Sequence, residues 1–184
     1  MDFSLLGFSG LKEVYNLHPA FVHFPIALLP SALLFYFLGA VFKNASLSAA
    51  GRACLYLACA GGAAAAATGS MAEGSFPHNQ TIHHIMQTHE TIGYSAVVLS
   101  FVLGLWSFWQ TDHQPKAVWT FLAALAFAVL LVLQNGDLGG RMVFVEGAAV
   151  KPAAAAVAAA EAAGKAPEKK TPPGHSHEHG DHPH

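Results

Sequence analysis

The sequence predicts an all-α protein: a four-helix transmembrane bundle followed by a disordered, Ala/Pro-rich and His-rich C-terminal tail. Three observations predict it. Hydrophobic residues make up 53% of the 184 positions and charged residues only 11%. An ordinary soluble domain carries roughly 25% charge, and so few charges cannot cover a soluble surface. Four apolar runs have the roughly 17–25 residues a helix needs to cross a bilayer. Beyond residue 150 the chain has no Leu, Ile, Met or aromatic residue at all, so it cannot offset the entropy of folding by burial.

The first run is Ala20–Phe42. Residues 1–17 alternate apolar and polar, a pattern suited to a short interfacial helix ahead of it. No basic stretch precedes the run, and it is too long for the apolar part of a cleavable signal peptide. The second run, Ala53–Ser70, is mostly Ala and Gly, a composition that lets helix backbones approach closely inside a bundle. The third and fourth are Thr91–Trp109 and Ala117–Gln134. Asn135–Val150 reads as a compact, glycine-bearing extramembrane stretch. Residues 1–150 therefore form the membrane domain and 151–184 a linker and tail. Within the tail, 151–174 reads as a tether and HSHEHGDHPH (175–184) as a metal-prone His-rich end.

Charge sets orientation. Lys43 and Arg52 fall between runs one and two, and Lys116 between three and four, while most acidic residues fall on the opposite face. The positive-inside rule puts those two loops in the cytoplasm and both termini outside. The net charge of -2 offers no basic stripe to meet phosphates, so a nucleic-acid partner is not expected. Cys54 and Cys59 form neither a CxxC nor a CxxCH, which disfavours thioredoxin-like chemistry and covalent haem. Buried free Cys is ordinarily a small hydrophobe.

Twelve histidines against nine Lys plus Arg is the unusual feature. In HPAFVHFP (18–25), Pro19 suits the first position of a helix, which places His18 at the membrane surface. His23 lies about one turn deeper, beside a backbone that Pro25 interrupts. In HNQTIHHIMQTHETIGY (78–94), His83, His84 and His89 lead into the third run. Runs one and three are parallel, so His18 is expected level with His84 and His23 level with His89. Within each helix the i, i+5 spacing means about 7.5 Å of rise and about 140° of rotation. One imidazole from each helix, His23 and His89, can then clamp a cofactor as a b-type haem is held, leaving His18 and His84 for a second site or a quinone pocket. The plainer reading is hydrogen-bonded core histidines. Ionisable groups inside spans nevertheless default to function, whereas His78, His83 and His113 read as wet headgroup residues. Arg141, beside Gly136, Gly139 and Gly140, is a candidate partner for a haem propionate; the alternative is a helix C-cap and turn. In the tail His175, His177, His179, His182 and His184 are candidate ligands for Zn, Cu or Ni, or simply a solubilising end.

The segment His18–Leu28 (HPAFVHFPIAL) resembles the opening of the bacterial membrane proteins grouped as domain of unknown function 2231. His89, Glu90 and Gly93 match that family's HE…G element. Leu138, Gly139, Gly140, Val143 and Gly147 match its LGG…V…G stretch. The similarity covers about residues 15–150 and implies four helices in the inner membrane. Some relatives carry Rieske or cytochrome c modules, which implies a membrane redox role. Three functions are therefore in contention. The first is a haem b protein passing electrons near the extracytoplasmic face, from quinol to a partner protein. The second is a transition-metal binder or transporter, and the third a cofactor-free scaffold subunit.

Overall fold

The computed structural model describes residues 14–74, 79–110, 115–150 and five positions between 155 and 162. Four helices make up the bundle: α1 Val14–Phe42, α2 Ala45–Glu73, α3 Gln80–Phe108 and α4 Val118–Phe144. All four are long and apolar enough to cross a membrane, and no strand occurs among the described residues. Each of α1, α2 and α3 has 29 residues, about 43 Å at 1.5 Å per residue. A hydrocarbon core is about 30 Å thick, so the helices overhang it.

That overhang explains why every apolar run is shorter than its helix. Hydropathy marks where lipid begins, whereas backbone hydrogen bonds continue into the headgroups. The polar start signals are caps. Asn44 Oδ1 accepts from the backbone N–H groups of Ser46 and Leu47 at 2.9 and 3.3 Å, and Asn79 Oδ1 accepts from Ile82 N–H at 2.9 Å, satisfying first-turn donors. Three sequence expectations change accordingly. Pro19 lies inside α1, not at its first position, and so do Pro25 and Pro30. Arg52 belongs to α2 rather than to a loop; its guanidinium donates to Gln110 O at 3.1 Å and ties α2 to the end of α3. Asn135–Phe144 continues α4, so only the six residues that follow form the compact turn. There Gly147 has φ 73°, and Ala148 N–H donates to Met142 O at 2.8 Å.

α1 and α2 are joined by only Lys43 and Asn44 and share the most extensive contact. α4 touches α1 and α3, α2 touches α3, and the pairs α1/α3 and α2/α4 stand on the diagonals. Gly39 is required where α1 meets α2: a Cβ there would collide with the Ser48 side chain and stand 2.9 Å from its backbone nitrogen.

The solid core lies toward the end bearing Lys43 and Lys116. Leu29, Tyr36, Leu55, Leu103, Phe121 and Leu125 are all at most 1% exposed. Tyr36 and Trp106 both pack edge-on against Phe121, with ring centroids 4.9 and 5.6 Å apart, the geometry aromatic quadrupoles favour. The Tyr36 hydroxyl and Ser107 Oγ hydrogen-bond at 2.6 Å. Outward-facing Leu34, Phe37, Val98, Phe101, Phe127 and Leu130 are 44–63% exposed, as a lipid-facing surface requires. Phe42, Phe108, Trp109 and Trp119 ring the same end, where interfacial aromatics are expected.

Candidate functional site

The other half of the bundle is open. A cavity of about 560 Å³ lies between the four helices, lined mainly by apolar and small residues. This falls in the 300–1,000 Å³ range of cofactor pockets. The cavity begins near Leu29, Cys59, Ser100 and Val132 and rises past the histidines to Phe144 and the Ala148–Ala149 turn.

Two imidazoles face each other across it. His18 of α1 and His89 of α3 have ring centroids 6.0 Å apart, with planes at 82°. Both are part-buried, and they come from helices on a diagonal. Each ring is held from behind by the other helix of its own hairpin: His18 Nδ1 lies 2.8 Å from Ala65 O in α2, and His89 Nδ1 lies 3.0 Å from Asn135 O in α4. A carbonyl oxygen only accepts, so Nδ1 must carry the proton in both rings. The neutral imidazole then has its lone pair on Nε2. The two arrangements correspond across the two hairpins, with partners 47 and 46 residues apart.

Small residues make this packing possible. A Cβ on Gly69 would stand 3.1 Å from His18 Cε1 and Nδ1, and one on Gly139 would stand 3.4 Å from His89 Cε1. Gly93 plays the same part for the Asn135 amide, whose Nδ2 is 3.1 Å from where a Cβ would be. Asn135 Oδ1 is buried and has no hydrogen-bond partner among the described residues.

Polar groups edge one side of the cavity between α2 and α3. Glu73, Glu90, Ser70 and Tyr94 all contribute, and the Tyr94 and Ser70 hydroxyls hydrogen-bond at 3.1 Å. Cys59, at the inner limit, donates its thiol to Ser100 O at 3.3 Å.

The structure thus pairs His89 with His18, where hydropathy levels had matched it to His23. The cause is the 140° rotation between His18 and His23: when the first faces the axis, the second turns outward. His23 is exposed, borders the cavity, and lies 2.5 Å through Nδ1 from the Pro19 carbonyl of its own helix. His84 is exposed and does not line the cavity; His83 Nε2 lies 3.2 Å from Gln87 Nε2. Arg141 is exposed on α4, also outside the lining. His78, His113 and the tail residues His175, His177, His179, His182 and His184 lie outside the described residues. Sequence reasoning missed Ala65, Asn135, Ser70, Glu73 and Tyr94 as parts of the site. An Ala carbonyl carries no side-chain signal, and the other four become site residues only once all four helices are placed.

The family model described as "Predicted membrane protein (DUF2231)" matches residues 15–152, and the chain belongs to that family. No curated protein and no solved structure matches it.

Proposed function

We propose that the chain is a membrane b-type haem protein with His18 and His89 as the axial ligands, passing electrons at the histidine-bearing end of the bundle. The 6.0 Å between the two ring centroids carries this reading. With metal–nitrogen bonds of about 2.0 Å and a ring nitrogen roughly 1.1 Å from its centroid, two imidazoles on opposite sides of one metal stand about 6.2 Å apart.

The back-bonding of both rings supports it further. Metal-ligating histidines almost always donate their other N–H to a carbonyl or carboxylate, which fixes the tautomer and raises ligand basicity. A macrocycle brings four nitrogens of its own and asks the protein for two. A structural Zn ion asks for four protein ligands, and no cluster of three His, Cys, Asp or Glu occurs among the described residues. Bound haem supplies one-electron chemistry; the chain's own residues orient the ligands, exclude water with apolar walls and present carboxylates nearby. Glu73, Glu90 and Tyr94 offer proton acceptors or relays on the α2–α3 wall, which suits quinol as the membrane-borne donor.

Lys43 and Lys116 stand at the opposite end, so the positive-inside rule assigns the cavity end to the extracytoplasmic side of the inner membrane. A redox protein on that side would be the acceptor.

The test is the oxidised and dithionite-reduced absorption spectrum of full-length protein, purified in detergent after expression with ample haem. The wild type is expected to show a Soret band with sharp reduced α and β bands. His18→Ala and His89→Ala are expected to lose them, whereas His23→Ala, His84→Ala and deletion of 175–184 keep them. A featureless wild-type spectrum would refute the reading; loss of haem in His23→Ala alone would overturn the ligand assignment.

A further inference from the structure

In an α-helix the residue one turn past a carbonyl sits directly over it, because carbonyl i accepts from N–H i+4. A side chain from another helix that reaches that carbonyl over the i+4 residue passes close to where its Cβ would stand. Ala65 O accepts from His18 at 2.8 Å, the Thr68 hydroxyl that donates to Ala64 O at 2.7 Å lies 3.1 Å from it, and the residue over it is Gly69. The equivalent residue over Asn135 O is Gly139.

The two glycines differ in how much they matter. The 3.1 Å that a Cβ on Gly69 would leave to both His18 Cε1 and Nδ1 is tighter than side chains ordinarily make. The imidazole cannot yield toward Ala65, because it already lies at hydrogen-bond distance there. It can only move away by a few tenths of an ångström, which lengthens and weakens the bond. The 3.4 Å left at Gly139 is ordinary contact, and His89 keeps its place.

We propose that Gly69 is a ligand-positioning residue: its bare Cα forms the notch through which His18 reaches the Ala65 carbonyl, and this decides which ring nitrogen is turned to the cavity. A methyl in the notch weakens the hold on Nδ1–H, favours the other tautomer, and lowers the basicity that the hydrogen bond lends to the imidazole as a ligand. The notch stands on geometry alone; its redox consequence rests on the haem reading above.

Two measurements on the full-length protein test it. Ring-¹⁵N-histidine NMR without haem reads the tautomer, with His18→Asn used to assign the His18 signals. The wild type is expected to be Nδ1-protonated, and Gly69→Ala to shift toward the Nε2-protonated form. Haem titration then reads the consequence. Outer-shell substitutions commonly cost about 10- to 100-fold in metal affinity, so Gly69→Ala should weaken haem binding by that factor and raise the midpoint potential. Gly139→Ala should do less of both. Gly104→Ala, where a Cβ meets Cys59 Sγ at 3.4 Å, controls for helix packing and should leave both readouts unmoved. An Nε2-protonated His18 in the wild type overturns the proposal without any variant, as does a Gly69→Ala protein with wild-type tautomer and affinity. If the wild type takes up no haem, the functional reading fails while the tautomer measurement still decides the notch.

Discussion

Replacing Asn135 by Leu should make the empty protein more stable and the loaded one harder to form. Asn135 Oδ1 is buried without a partner among the described residues, and such an orphan costs about 1–3 kcal/mol in proteins generally. Hydrogen bonds measured inside membrane proteins average about 0.6 kcal/mol and reach about 1.7, which points to the lower end, about 1 kcal/mol. Leu keeps the branched outline of Asn, is bulkier, and brings no polar atom, so some packing cost is set against the gain. The bond that matters to His89 comes from the Asn135 backbone carbonyl, so it survives the substitution. For a chain of this length 1 kcal/mol corresponds to roughly 2–4 °C. Thermal unfolding of the haem-free protein in detergent, followed by circular dichroism, should therefore show Asn135→Leu melting a few degrees higher. On the haem reading, titration should show weaker uptake, because a destabilising unpaired amide beside the cavity is the kind of group that functional sites retain at a cost in stability. A melting point that falls by several degrees would refute the reasoning, since Oδ1 must then already be meeting a partner.

The core and the topology give two further expectations. A double-mutant cycle with Tyr36→Phe and Ser107→Ala should return a favourable coupling of about 0.6–1.7 kcal/mol in unfolding from mixed micelles, because both groups are fully buried and bonded at 2.6 Å; zero coupling would remove that hydrogen bond from the stability of the core. Single cysteines placed at Lys43 and at Gly74, in a background lacking Cys54 and Cys59, should differ in labelling by an impermeant maleimide on intact cells: Gly74→Cys is modified and Lys43→Cys is protected, and the reverse pattern would invert the topology.

Several parts of this arrangement were legible in the sequence. Four apolar runs fixed the number of helices, because the length of a span is set by the bilayer and not by its neighbours. His89 and His18 stood out as ionisable groups near a membrane face. Their pairing was not legible. Predicting it from hydropathy assumes that α1 and α3 enter lipid and start as helices at the same residue, yet α3 begins at Gln80, eleven positions before its apolar run. The glycines at 136, 139 and 140 looked like the end of α4 because glycine commonly stops helices. Here they lie within it, and Gly139 serves as close-packing space for His89. Arg52 looked like a loop charge because a cation ends a hydropathy window, whereas its long side chain reaches the Gln110 carbonyl from inside α2.

Each histidine is locked by the other helix of its own hairpin, and this bears on the order of assembly. When α1 and α2 have inserted together, His18 already has its carbonyl; α3 and α4 do the same for His89 without the first pair. Neither imidazole waits for the full bundle to find its orientation. On that order the last step of assembly would be the meeting of two finished halves, and a haem held as proposed by one residue from each would act as a staple across the seam. Because the rotamers are set beforehand, little conformational freedom remains to be lost at that step. On the haem reading, occupancy of the cavity would stabilise the association of the hairpins, because a ligand that binds only the assembled state shifts the equilibrium toward it.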